Sequence, residues 1–105
     1  MTYNEIEQWI GNNVEQVYFF GAYSEDTVRN DLQLRKAMDI RSGGQTNNLG
    51  EKKSIYIQHF NRILGDINFA INWVQSNRPQ NSEFISRCER CKSQVKRLLD
   101  IVRDF

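Results

Sequence analysis

The chain has 105 residues, of which 39% are hydrophobic and 26% charged, and its 14 Lys+Arg against 13 Asp+Glu leave a formal net charge of +1. That is material for one modest core, and the balance excludes a wholly basic nucleic-acid coat or an acidic tail protein. No apolar run approaches the roughly 20 residues a membrane span needs. The opening MTYNEIEQWI has neither the basic nor the apolar region of a signal peptide, so a cytoplasmic location is expected.

Four segments carry helical periodicity and none alternates with period two. The expected fold is therefore all-α: a single domain over residues 1–105, built as a small antiparallel four-helix bundle. The first helix is expected over about residues 3–23. Thr2 is placed to cap it, with Glu5 three positions on as in a capping box. Tyr3, Ile6, Ile10, Val14, Val17 and Phe20 fall on one side of its wheel, with Gly11 as a weak point. The second helix is expected over 25–40, started by Ser24-Glu25-Asp26-Thr27, with acids at the positive end of the helix dipole. Its apolar residues (Val28, Leu32, Leu34, Met38, Ile40) are spread around the wheel, which predicts contacts on several sides or the least stable helix.

Residues 41–53, RSGGQTNNLGEKK, are expected to form a long Gly/Asn-rich loop, because adjacent glycines break a helix. A loop this long is either functional or disordered. The third helix, over about 54–75, carries a broad apolar arc (Ile55, Tyr56, Phe60, Ile63, Ile67, Ala70, Ile71, Trp73, Val74) and is expected to be the central one. Asn77 and Pro79 end it. The fourth, over about 83–104 with Ser82 as cap, has the narrowest stripe: Phe84, Cys88, Cys91, Val95, Leu98, Leu99, Val102 and Phe105.

Little in this pattern points to chemistry. Cys88 and Cys91 make a CxxC, but inside a helix and on its apolar stripe, where they read as two small buried hydrophobes. One such pair and one histidine are too few for structural zinc. His59 lies at the edge of the third helix's apolar arc and reads as a hydrogen-bonded boundary residue. GGQTNNLGEK does not match a P-loop. No catalytic residue, metal site or cofactor is expected.

Charge is uneven. Residues 1–34 hold six acids and one base, residues 35–62 six bases and two acids, and residues 87–97 five bases and one acid. Packing of the acidic first hairpin near the basic fourth helix accounts for this. The competing reading is a phosphate or nucleic-acid surface using Arg87, Arg90, Arg97, Lys52 and Lys53. A third reading is sequestration of a small anionic ligand, such as a nucleotide, at a subunit interface.

Two features point to protein partners. Phe19 and Tyr23 are one turn apart and fall opposite the first helix's apolar stripe, as interface anchors do. Gln58, Asn61, Gly65, Asn68 and Asn72 line the side of the third helix opposite its apolar arc, as a charge-free amide face. The expected function is thus a non-enzymatic, self-associating interaction module of adaptor or regulatory type. It would bind through Phe19 and Tyr23, or through Asn61, Asn68 and Asn72.

Overall fold

A computed structural model describes residues 1–105, and it is all-helical. Helix α1 (Tyr3–Ile10) starts where Thr2 Oγ1 accepts the Glu5 amide. It continues through a π-helical turn (Gly11–Glu15) into the short α2 (Gln16–Tyr18). The later helices are α3 (Glu25–Arg41), α4 (Asn48–Asn77) and α5 (Ser82–Asp104).

The π-helical turn decides which side chains of the first segment are buried. Ile6, Ile10, Val14 and Tyr18 are all buried, at a strict spacing of four. In a regular α-helix that spacing drifts about 40° per step, so Tyr18 would swing off the core face. The wider turn takes up the drift. Tyr18 is therefore fully buried, Val17 is half-buried, and Phe20, expected on the stripe, is 89% exposed. The helix also ends at Tyr18, five residues earlier than expected. Residues 19–24 form a turn closed by the Tyr23 amide on the Val17 carbonyl. A Cβ on Gly21 would lie 2.7 Å from the Gln16 carbonyl oxygen, so this turn needs a glycine.

The expected loop over 41–53 shortens to residues 42–47, because Asn48 through Lys53 are helical. Gly43 and Gly44 adopt positive φ (70° and 82°), as the doublet implied. What the doublet concealed is the clasp behind it. The Asp39 carboxylate accepts from Thr46 Oγ1 (2.7 Å), the Asn48 amide (2.8 Å) and the Leu49 amide (2.9 Å), so α3 caps the start of α4. These bonds, the Leu49 amide foremost, hold the Asp39 carboxyl below the usual carboxylate range. At the other end of α4, Asn81 caps α5 by accepting the Phe84 amide, and the expected cap Ser82 is already helical.

Positions along the first half of the chain meet α4 in reverse order. Tyr3 lies under Arg78, just past the end of α4, Tyr18 meets His59, Asp31 accepts the Tyr56 hydroxyl, and Asp39 reaches Leu49. On α5 the order is forward: Tyr3 against Phe84, Glu15 against Arg87, Glu25 against Arg97. The first segment and α3 therefore follow one another along the α4–α5 pair instead of lying side by side. The result is a rod of 56 × 20 × 20 Å, about two helix diameters across. Its core is one cluster of 21 buried residues. On α4 the core row is Tyr56, Phe60, Ile63, Ile67, Ala70 and Val74, and on α5 it is Phe84, Cys88, Cys91, Val95, Leu98 and Val102. Both alternate steps of four and three, the spacing of a coiled-coil seam.

Candidate interaction surface

The aromatic pair expected at an interface belongs to the fold. Phe19 and Tyr23 are half-buried and packed against the core cluster. Their placement opposite the stripe assumed a helix continuing to residue 23, and in the turn that geometry does not hold. Tyr23 stacks on His59 (centroids 4.8 Å apart) and on Tyr18 (5.3 Å), and meets Phe60 edge-on (5.9 Å). The buried Tyr18 hydroxyl lies 2.5 Å from His59 Nε2. Burial first, then the Arg62 charge, pulls the His59 pKa below its ordinary value, and burial followed by Tyr23 raises that of Tyr18. Both shifts favour a neutral phenol donating to a neutral imidazole.

Beside this cluster, a groove runs between α1 and α4. One depression of about 320 Å³ is lined by Met1, Glu5, Ile6, Trp9, Asp66, Phe69 and Ala70. A second, of about 370 Å³, continues past Trp9 and Asp66 to Arg62, His59 and Tyr23. Met1 (71%) and Phe69 (53%) stand exposed on its rim. Sequence reasoning missed this groove. The signal was the row Ile55, His59, Arg62, Asp66, Phe69 and Trp73, which also alternates four and three, one residue ahead of the core row. Reading all apolar positions of α4 as one wide arc merged the two rows and hid the second.

The amide face of α4 lies free. Gln58, Asn61, Gly65, Asn68 and Asn72 are all exposed. None of these side chains makes a hydrogen bond within the chain; those of α4 come from Asn48, Tyr56, His59 and Asn77. A Cβ on Gly65 would meet nothing within 4 Å. Glycine there costs about 1 kcal/mol of helix stability relative to alanine, and no contact within the chain requires it.

The basic residues do not converge. Arg87 donates from Nε to Glu15 (2.6 Å) and pairs with Glu7 (3.4 Å), and Arg97 pairs with Glu25. These pairs join α5 to the acidic first half. Lys52 sits over the Tyr56 ring at 5.0 Å, Lys53 is half-buried and Arg90 is exposed. Along α5, Arg87 and Arg97 are about 15 Å apart.

Cys88 and Cys91 are free and buried, and burial, chiefly, pushes their thiols up to about 12 and about 11. They are consecutive positions of the α5 core row, and the CxxC spacing is one step of that seam. No group of three or more His, Cys, Asp or Glu side chains is arranged to hold a metal ion. No helix is long and apolar enough to cross a membrane. No protein-family model, curated protein or solved structure matches the chain.

Proposed function

We propose that the chain is an antiparallel helical bundle acting as a non-enzymatic protein–protein interaction module, with α4 as its binding element. The observation that carries this reading is the composition of α4's free side. Charged residues make up 26% of the chain, yet between Ser54 and Asn77 only Arg62 and Asp66 are charged. A helix side meant for water is usually rich in Glu and Lys, which also favour the helix. This side offers amides, a glycine and the exposed Phe69 beside a partly apolar groove, a combination that suits contact with another helix. A nucleic-acid role finds less support, because Arg87 and Arg97 are already paired with acids of the same chain.

The test is retention of a polypeptide by the immobilised chain, compared with Phe69→Glu. The native protein should hold a polypeptide that the variant releases, with helicity unchanged between the two. Equal retention by both, or none by either, would refute the reading.

A further inference from the structure

We infer that His59 is the latch that fastens the turn over residues 19–24 to α4, and that its protonation releases the turn and with it the wall of the groove that Tyr23 forms. The inference does not rest on α4 having a partner, and either reading can fail without the other.

Little else holds the turn. From Phe19 to Thr27 no residue is buried. Its backbone bonds run from the amides of Phe19, Tyr23 and Ser24 to the carbonyls of Glu15, Val17 and Gly21. Contact with α4 passes through the Tyr23 ring, which stacks on His59 and meets Tyr56 and Phe60 edge-on. A segment without buried apolar residues opens more readily than the packed helices beside it.

One hydrogen bond ties this cluster to the core. Tyr18 is fully buried, and His59 Nε2 is the partner of its hydroxyl. A neutral imidazole accepts the phenol proton through a ring lone pair, whereas a protonated one can only donate. The phenol proton is then left in a buried site without an acceptor, which costs free energy. Opening the turn lets water reach both groups and removes that cost.

The surroundings do not offset it. The titratable and charged groups that face the imidazole are Tyr18 and Tyr23 from the first segment and its turn, and Arg62 and Asp66 from α4 itself. Trp9, Asn13 and Val17 complete that depression and bring no charge. Arg62, three positions on, is about 4.5 Å away along the helix axis and repels a second cation. Asp66, seven positions on, is about 10 Å away along it.

His59 is the chain's one histidine, so a pH response near neutrality reports on it. Hydrogen exchange of the native chain is compared at pH 7.5 and 5.0, corrected for intrinsic rates, without urea and in low urea. The Phe19, Tyr23 and Ser24 amides should open locally, with an opening constant that does not respond to urea. That constant should rise several-fold at pH 5.0. One proton binding an opened histidine at its ordinary 6.5 sets the ceiling at about thirtyfold. His59→Gln, which keeps an acceptor and does not titrate, should leave the constant unchanged between the two pH values. Tyr18→Phe has no hydroxyl to orphan and should respond less than the native chain. Turn amides that open equally at both pH values overturn the inference, as do turn amides that open only with the urea-sensitive unfolding seen at Phe60. So does a full response in His59→Gln or in Tyr18→Phe. An imidazole that titrates at or above 6.5 by NMR also overturns it, because the Tyr23 ring would then be holding the cation in place.

Discussion

The two ends of α4 are held by different physics. From Tyr56 to Val74 its core row is buried, with α5 on one side and the first segment or α3 on the other. Between Gln33 and Ile55 no residue is buried, and Leu34 (62%), Ile40 (70%) and Ile55 (57%) stand in water. Here directed polar contacts do what packing does elsewhere. Asp39 clasps the start of α4, and Asp31 accepts from Tyr56 (2.6 Å) and Arg35 (2.9 Å). Burial alone would raise the Asp31 pKa, but those two bonds hold it below its ordinary value. Hydrophobic burial is non-directional and scales with area. A hairpin end without a third helix lacks that area and relies on geometry instead.

The comparison predicts its largest contrast at Phe60, which is fully buried among Tyr18, Tyr23 and Tyr56. Phe60→Ala should cost about 3–5 kcal/mol in urea denaturation, a large share of the roughly 5–15 kcal/mol typical of a domain. A loss under about 1 kcal/mol would mean that the three-helix region is not the stabilising one.

Asp39→Ala attacks the other end and should act locally. Amides at 48–52 should exchange at least about tenfold faster once the clasp is gone, while those at 60–74 keep their protection. Uniform loss of protection along α4 would show that the two ends unfold as one unit and would erase the distinction.

Tyr18→Phe separates polar from apolar contributions inside the packed region. The ring stays and the hydroxyl on His59 goes, so a loss of about 1 kcal/mol is expected. The same pair gives a pH dependence. Because the folded imidazole is held below its ordinary 6.5, the unfolded chain binds a proton that the folded chain does not. This contribution to stability is complete above about pH 6.5 and declines as pH falls below it. His59→Gln should flatten that slope and leave the decline from Asp31, below its ordinary 3.8, in place. An unchanged slope near pH 6 in His59→Gln would remove the histidine from the account.

The contrast between the two ends was only partly legible in the sequence. The apolar rows of α4 and α5 were, because a row that repeats every three or four residues is buried wherever a neighbour can cover it. The reading of Cys88 and Cys91 as small buried hydrophobes followed from the same rule. The π-helical turn was not used, although the strict spacing of Ile6, Ile10, Val14 and Tyr18 announced a helix wound more loosely than 3.6 residues per turn. A regular helix through residue 23 would set Phe19 and Tyr23 on one outer face, and the turn after Tyr18 removes that face. The Asp39 clasp joins residues seven to ten positions apart, beyond what helix or turn periodicity reports, so the loop looked longer than it is. The amide face was legible as composition. That it stays uncovered depended on knowing which side of α4 the other helices take.

The smallest expected effect lies at the exposed end and is the sharpest check on the comparison. The scattered wheel of Val28, Leu32, Leu34, Met38 and Ile40 resolves into two buried residues, Val28 and Leu32, and three exposed ones. Leu34 and Ile40 stand exposed and bury little of their surface, so removing their apolar surface forfeits little burial energy. Leu34→Ser and Ile40→Ser should each change stability by no more than about 0.5 kcal/mol in either direction, the ordinary range for surface substitutions. Leu32→Ser, about half a turn from Leu34 and about two turns from Ile40 but on the buried side, should cost several-fold more, because it both empties an apolar site and buries a hydroxyl. If Leu34→Ser or Ile40→Ser matched Leu32→Ser in the purified chain, those residues would be covered in solution. The hairpin end would then be an interface as well, and its dependence on polar geometry would describe only the isolated copy.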